Sequence, residues 1–430
     1  MPTVAIETHG CKLNQADSQA VAREFARAGF LVVDPGQPAD VYVLNTCTVT
    51  HIADRKARHA LGWARRQNPS SLVVATGCYA QRAREELVAL DSVDLVLGNT
   101  EKGSLVERVA MLLGDVPRPR GSGQEQGHGV GAATWKSLRT RAMVKIQEGC
   151  DQVCAYCIVP RVRGRERSVP PGDLLSTVLS LQERGVQEVV LTGTQLGTYG
   201  FDLSDTGLTR LLEMILAKTT IHRIRVSSLQ PQEIGEELLS LWADRRLCPH
   251  FHIPLQSGSN TVLKGMRRRY TSEVFANAVA LVRKHIPDVA ITTDVIAGFP
   301  GEGEEEFEET YLFCRDMGFA DMHVFPFSMR PGTSAAYFRA QVNSRTRARR
   351  GEVLQRLARD SATRFRSYLL GQVRPVLWER RVRRDGRLLW SGLTDNYVRV
   401  LTENPMPLAN KLAAVRLTGE SEEALWGNVV

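Results

Sequence analysis

Hydrophobic positions in the first hundred residues repeat one arrangement: an apolar run rich in β-branched residues, a short polar stretch, then apolar positions at helical spacing. The runs Val4–Thr8, Val41–Asn45, Leu72–Thr76 and Val93–Leu97 predict strands; Ala16–Ala28, Asp54–Arg66, Ala80–Leu90 and Lys102–Leu113 predict amphipathic helices. Such alternation argues for a parallel α/β sheet. From Arg141 it resumes. Strands are expected at Ala142–Gln147, Glu188–Thr192, Arg223–Ser227, His250–Pro254, Ala290–Ile296 and Asp321–Phe325. Helices fall between them near Leu174–Arg184, Leu208–Ala217, Ile234–Trp242, Ser272–Lys284 and Glu304–Met317. Six β/α units suit a complete doubly wound sheet or a partial (β/α) barrel equally well, and pattern alone does not choose. After Ser344 an Arg-rich helical stretch runs to about Leu370. Short alternating runs follow at Arg374–Trp378, Leu388–Gly392 and Asn396–Leu401, with an Asp385-Gly386 turn, and predict a small antiparallel β barrel.

The stretch Asp115–Thr134 holds five Gly and two Pro with almost no apolar content and reads as a linker or surface loop. The expected division is therefore 1–114, a linker at 115–135, 136–343, an Arg-rich arm at 344–370, and 371–430. The hydrophobic share of 43% over 430 residues is that of folded protein and excludes disordered and fibrous classes. No run of about 18 apolar residues occurs, and MPTVAIETHGCKLN lacks the basic flank and apolar core of a signal peptide, so a cytoplasmic protein without membrane contact is expected. Charge adds a partition. Arg339–Arg384 carries 14 Arg and 3 acidic residues, a surplus that exceeds the whole chain's net +8 and leaves the remainder slightly acidic.

Eight cysteines in a cytoplasmic chain point to metal or redox chemistry. Cys11, Cys47 and Cys78 each follow one of the first three predicted strands, in THGC, NTC and TGC. Taken singly, each reads as a small buried hydrophobe; at the carboxyl rim of one parallel sheet, where ligands bind, they would converge. Cys150, Cys154 and Cys157 stand in CxxxCxxC spacing after the first strand of the second unit. Three thiolates leave a zinc site one ligand short, and His51, His59 and His128 lack finger spacing. A [4Fe–4S] cluster with three cysteines offers one iron to an external ligand. Cys248 and Cys314 have no partner at ligand spacing and read as core. The acidic run Glu302–Glu309 reads as a helix start.

CxxxCxxC at the head of a β/α unit, with Tyr156 before the third cysteine, resembles the radical S-adenosylmethionine superfamily. That resemblance implies a partial (β/α)6 barrel, S-adenosylmethionine bound through its amino and carboxylate groups to the open iron, and cleavage to a 5′-deoxyadenosyl radical. THGCKLN, NTCTVT, GCYAQ, RGRERS, LTGTQLGTYG, FHIPLQSGSN, DVIAGFPGE, FPFSMRPGT and GLTDNYVRV together resemble the methylthiotransferases over nearly the whole chain. The resemblance implies a second [4Fe–4S] cluster on Cys11, Cys47 and Cys78, carrying the sulfur to be inserted, and a C-terminal TRAM barrel that binds RNA. Both clusters must then face one cavity, with the two units packed rim to rim.

Gly193, Thr194, Ser227, Gln256, Ser257 and Asp294 lie at strand ends, where S-adenosylmethionine contacts are expected; the sequence departs from the family pattern at Thr194 and Gln230. Arg161, Arg163, Arg165 and Arg167, and the run Arg267–Arg269, lie near the expected cavity mouth and could grip phosphates. So could Arg347, Arg349 and Arg350 on the helical arm and Arg381, Arg383 and Arg384 on the barrel, with Trp378, Trp390 and Tyr397 as base-stacking candidates. Among the family's branches the N-terminal signatures resemble most the one that adds a methylthio group to C2 of N6-threonylcarbamoyladenosine-37 of tRNA. Isopentenyladenosine-37, a ribosomal-protein aspartate, and a non-catalytic iron–sulfur RNA-binding protein are the alternatives. A reductant such as flavodoxin or ferredoxin and a sulfur donor are further partners that the resemblance implies.

Overall fold

The computed structural model describes residues 1–114 and 140–430; the Gly/Pro-rich stretch and His128 lie outside them. Five parallel strands stand in the order β2-β1-β3-β4-β5, with β1 at Thr3–Thr8, β2 at Leu31–Val33, β3 at Val41–Thr46, β4 at Leu72–Gly77 and β5 at Leu95–Leu97. The central strand β3, VYVLNT, is buried at every position, as a strand covered on both faces must be. Helix α1 (Lys12–Arg27) packs Val21 and Phe25 on one face, and α2 (His51–Gln67) packs Ala57 and Leu61 on the other. Strand β2 escapes the pattern because three residues are too few for a period to register. The helix expected at Ala80–Leu90 is instead two, α3 (Cys78–Arg82) and α4 (Arg84–Val88), broken at Ala83. Alanine has no propensity to break a helix. Arg82 is bonded to Thr48 Oγ1 at 2.8 Å and Asp54 at 3.2 Å, a tertiary tie that no local signal announces. Helix α5 spans Leu105–Leu112.

The central unit settles the ambiguity left by the pattern. Strands β6 (Arg141–Lys145), β9 (Glu188–Thr192) and β10 (Arg223–Val226) pair in parallel, as do β11 (His250–His252), β12 (Ala290–Ala297) and β13 (Asp321–Pro326). Parallel bridges Ile224–Leu247 and Ser228–His252 join the two sets. A doubly wound sheet reverses strand order at a switch point; here each strand joins the far side of its predecessor, and β6 and β13 do not pair. The result is an open partial barrel. A two-residue hairpin, β7 (Gln147–Glu148) with β8 (Arg167–Ser168), brackets the cysteine loop and α6 (Val159–Arg163). Helices α7 (Pro171–Glu183), α8 (Leu208–Lys218), α9 (Glu236–Ser240), α10 (Asn260–Gly265), α11 (Ser272–His285) and α12 (Glu304–Met317) follow in turn. Val189, Leu191, Ile224, Val226, Phe251, Ile291 and Val295 belong to the core against these helices. By strand alternation the opposite face presents Glu188, Arg223, Arg225, His250, His252, Asp294 and His323 to the lumen.

Helix α1 lies in the open side of this barrel. Its Ala16 packs on Met143 and Val190, and Gln19 Oε1 accepts from the Met143 backbone N–H at 3.1 Å. The Arg-rich stretch is the helix α13 (Ser344–Tyr368), which lies against β13 and buries Leu354, Leu357 and Ala358. Strands β14 (Val373–Arg384), β15 (Arg387–Thr394), β16 (Arg399–Thr402), β18 (Leu425–Val429) and β17 (Leu412–Glu420) then close a five-stranded barrel in that order. It docks on the amino ends of the central strands: Arg223 donates to the Leu393 carbonyl at 3.1 Å, and Arg141 pairs with Glu379 at 2.9 Å. No described helix is long and apolar enough to cross a membrane.

Candidate iron–sulfur site

Cys11 caps the start of α1, Cys47 follows β3 and Cys78 opens α3 after β4, so the three thiols do meet at one rim. Two glycines permit it. Gly10, at φ +104°, would place a Cβ 2.7 Å from Cys47 Cβ, and Gly77, at φ +96°, would place one 2.5 Å from Asn45 Oδ1. Any larger residue in THGC or TGC forces the rim apart. Burial pushes the Cys47 thiol up to about 12, with Cys78 and Cys11 adding to the rise. A buried thiol that resists ionisation, crowded by two others, is a setting in which a bound metal replaces the proton.

The second triad sits on a loop folded by its own backbone. Gly149, at φ +81°, would bring a Cβ 1.9 Å from the Arg165 carbonyl, and the Cys150 N–H donates to the Gly164 carbonyl at 3.1 Å. The Ala155 N–H donates to Met266 and its carbonyl accepts from Ala335, which pins the middle of the loop to the barrel. Tyr156 packs edge-on against Phe299. Burial raises Cys150 to about 11 and Cys157 to about 12. Arg268 Nη1 lies 3.3 Å from Cys154 Sγ, and its Nη2 donates to Gln230 Oε1, whose amide in turn donates to Gln195 at 3.2 Å. Arg268, read from sequence as a phosphate contact, is thus committed to the thiol loop.

No two of the eight cysteines form a disulfide. Tetrahedral zinc at 2.3 Å would hold its sulfurs ~3.8 Å apart. Among the described residues only His252, Asp294 and His323 bring their ligand atoms all within 4.8 Å, so both cysteine triads are wider than one ion requires. Three thiolate donors in each set, one short of a closed tetrahedral zinc site, are the donor chemistry of a [4Fe–4S] cluster that keeps one iron open. Cys248 and Cys314 are buried core residues.

The two rims face each other. Cys78 packs against Ile158 and Val162, and Asn99 Nδ2 lies 3.6 Å from Cys78 Sγ while donating to the Val162 carbonyl at 2.8 Å. Arg163 is buried; it pairs with Asp17 at 3.2 Å and Glu148 at 3.0 Å and also bonds Asn14. Asp17 further takes Lys102 at 3.0 Å and Lys145 at 2.8 Å. Burial alone would raise the Asp17 carboxyl, but the three cations outweigh it and hold it well below the usual carboxylate range. A second clasp comes from FPFSMRPGT: buried Arg330 reaches Asp54 at 2.9 Å and the Thr48 carbonyl at 3.2 Å.

The expected cofactor contacts separate into two groups. Asp294 lies in the lumen between His252 Nε2 at 3.3 Å and His323 Nδ1 at 3.2 Å. Gln256 is held at φ +68°, its N–H donating to the Asp294 carbonyl, and Ser227 is buried at the end of β10. Gly193 abuts Gln147, whose Oε1 accepts from the Thr194 N–H at 2.8 Å; Thr194 Oγ1 is buried with no partner. Ser257 corrects the sequence reading: its hydroxyl meets Thr310 Oγ1 on α12 at 2.9 Å, outside the lumen.

Several expected phosphate and base contacts are also corrected. Arg163 serves the rim-to-rim contact. Arg350 is buried against Glu302 at 2.8 Å, and Arg347 covers Gly298 while donating to the Phe327 carbonyl. Helical periodicity explains both, since they share the face that carries Leu354 toward the barrel. Trp378 and Trp390 are buried in the small barrel's core, and Tyr397 points into the large one. Arg165, Arg167, Arg349, Arg381 and Arg383 remain exposed and Arg384 partly so. A cleft beside the rim is lined by His51, Arg55, Arg58, Arg82 and Arg330 together with Asp54 and Glu86, which pair with Arg82 and, for Asp54, with Arg330; its arginines are dispersed along the chain, so charge counting missed it.

The family described as Uncharacterized protein family UPF0004 matches residues 3–98, and the Radical SAM superfamily matches residues 144–314. The chain is similar to the threonylcarbamoyladenosine tRNA methylthiotransferase MtaB of Bacillus subtilis, with 38% identity over 97% of this chain and 94% of that protein. It is 34% identical to a tRNA-2-methylthio-N(6)-dimethylallyladenosine synthase of Dictyoglomus thermophilum, over 100% of this chain and 99% of that one. The radical S-adenosylmethionine methyltransferase TsrM of Kitasatospora setae, at 16% identity and a TM-score of 0.56 over 78% of this chain and 77% of that chain, shares the fold. With full-length relatives above 30% identity, the chain belongs to the radical S-adenosylmethionine methylthiotransferase family.

Proposed function

We propose that this protein adds a methylthio group to C2 of N6-threonylcarbamoyladenosine-37 of tRNA. The observation that carries the chemistry is the packing of two three-cysteine rims against each other, with Cys78 in contact with the loop side of the radical barrel. The substrate rests on four similar proteins named as threonylcarbamoyladenosine tRNA methylthiotransferases, 34% to 39% identical to this chain. In this reading Cys150, Cys154 and Cys157 hold the cluster that binds S-adenosylmethionine, and Cys11, Cys47 and Cys78 hold a second [4Fe–4S] cluster. When bound, the two groups supply a carbon-centred radical and the sulfur to be inserted.

The chain's own residues bind, orient and exclude water. Gly193, Thr194, Ser227, Gln256 and Asp294 approach S-adenosylmethionine along the strand ends. Arg268 holds the Cys154 side of the loop by its bonds to Gln230, and α1 seals the open side of the barrel against solvent. Arg165, Arg167, Arg349, Arg381, Arg383 and Arg384 take tRNA phosphates, and the base leaves its stack to enter the lumen. Residues 1–114, 136–343 and 371–430 form the sulfur, radical and RNA units, joined by 115–135 and 344–370. A flavodoxin or ferredoxin supplies electrons, a separate donor restores sulfur, and tRNA as substrate implies a cytoplasmic reaction.

Mass spectrometry of tRNA nucleosides from a strain lacking this protein tests the reading. Loss of 2-methylthio-N6-threonylcarbamoyladenosine, with its unmethylthiolated precursor accumulating, is expected. Its persistence while 2-methylthio-N6-isopentenyladenosine vanishes would overturn the substrate assignment.

A further inference from the structure

The floor of the lumen carries cations that neither cluster needs. Tyr397, from the small barrel, enters at the amino ends of the strands and stacks on His250 at 4.6 Å. It sits at φ +73° in the turn between β15 and β16, a costly conformation for an aromatic residue. Around its ring stand Arg225 at 4.7 Å, Arg141 at 5.5 Å and Lys12 Nζ at 5.5 Å. Two of these cations have carboxylate partners, Arg225 with Glu188 at 2.9 Å and Arg141 with Glu379 at 2.9 Å. Lys12 has no ion-pair partner among the described residues. Buried polar atoms nearby are also unsatisfied: Arg225 Nη1 on a fully buried side chain, Arg141 Nη1 and His250 Nδ1. Lys12 itself keeps partial exposure, as do Tyr397 and Asp294, so solvent reaches the side chains above the floor.

We propose that Lys12, framed by Arg141, Arg225 and Tyr397, determines substrate specificity by receiving the carboxylate of the threonylcarbamoyl arm. The inference rests on the proposed substrate and deepens it. Lys12 adjoins Cys11 in the chain, so it stands between the thiol rim and the lumen. A base whose C2 faces that rim directs its N6 substituent away from the rim and into the barrel, and the arm ends in an anion. RNA phosphates stay outside with the backbone when a base is flipped. The carboxylate of S-adenosylmethionine belongs, by the family resemblance, at the open iron of the Cys150 loop, beyond the carboxyl ends of the strands. An apolar isopentenyl arm would leave this cationic floor unanswered, which is discrimination by an unpaired charge.

The test compares anticodon stem-loops bearing N6-threonylcarbamoyladenosine, its methyl ester, or unmodified adenosine at position 37. Binding to the cluster-loaded protein is measured by fluorescence anisotropy without reductant, with methylthiolation KM and kcat alongside. The wild type should bind the acid about tenfold more tightly than the ester. Lys12→Met should erase that gap by weakening the acid alone, with KM rising, and Lys12→Arg should keep most of it. Equal wild-type binding of acid and ester, or a Lys12→Met weakening shared by all three RNAs, overturns the proposal. The ester comparison needs no variant, so misfolding of Lys12→Met does not shelter the idea. Methylthiolation of isopentenyladenosine RNA with none of threonylcarbamoyladenosine RNA would instead overturn the substrate reading itself.

Discussion

The carboxylate of Asp17 faces Lys102 from its own unit and Lys145 and Arg163 from the next, all within 3.2 Å and with little access to water. Removing one partner of a buried ionic network leaves the others uncompensated, so Asp17→Asn should cost about 3–5 kcal/mol in urea or thermal unfolding. The pH dependence follows from the direction of its shift. A carboxyl held below its ordinary 3.8 contributes stability that is complete above about pH 4 and drains as the pH falls further, so the variant and the wild type should converge in acid. The cysteines differ in consequence. Cys78→Ala should abolish methylthiolation while leaving reductive formation of 5′-deoxyadenosine, and Cys154→Ala should abolish both, as read by product chromatography.

At the scale of elements, the loop between β7 and β8 depends on a glycine more than on any side chain. The Cβ of Gly149→Ala would lie 1.9 Å from a backbone oxygen that cannot yield, so the loop must open. Iron content should fall from about eight to about four per chain, with the cluster on the other rim retained. CxxxCxxC, strand β9 and helix α12 were legible because each is a local pattern, and the rim position of Cys11, Cys47 and Cys78 followed from the strand–helix alternation. Strand β2 and the β7–β8 hairpin were illegible, being two or three residues long. The Asp17 network and the Arg330 clasp join residues 85 to 282 positions apart, which no periodicity records. Arginine counting found the basic helix α13 and missed that two of its guanidinium groups, on Arg347 and Arg350, face inward.

For the whole molecule, exposed basic side chains lie on the cysteine loop, along the outer face of α13 and on β14, whose Arg381, Arg383 and Arg384 extend beyond the docked half of the small barrel. Replacing these three with Glu should weaken tRNA binding across sequences and reduce the salt dependence of log Kd by about 0.7–0.9 for each phosphate no longer neutralised, measured by filter binding at several salt concentrations. The reach of Tyr397 across the boundary gives the small barrel a second office. It is the stopper of a reaction vessel, and a truncation after Tyr368 would do more than remove a handhold for RNA. With the base of the vessel open, water and oxygen gain a route to the reactive chamber from the side opposite the substrate entrance. Such an enzyme should consume S-adenosylmethionine without product, a leak visible as 5′-deoxyadenosine formed in excess of methylthiolated base.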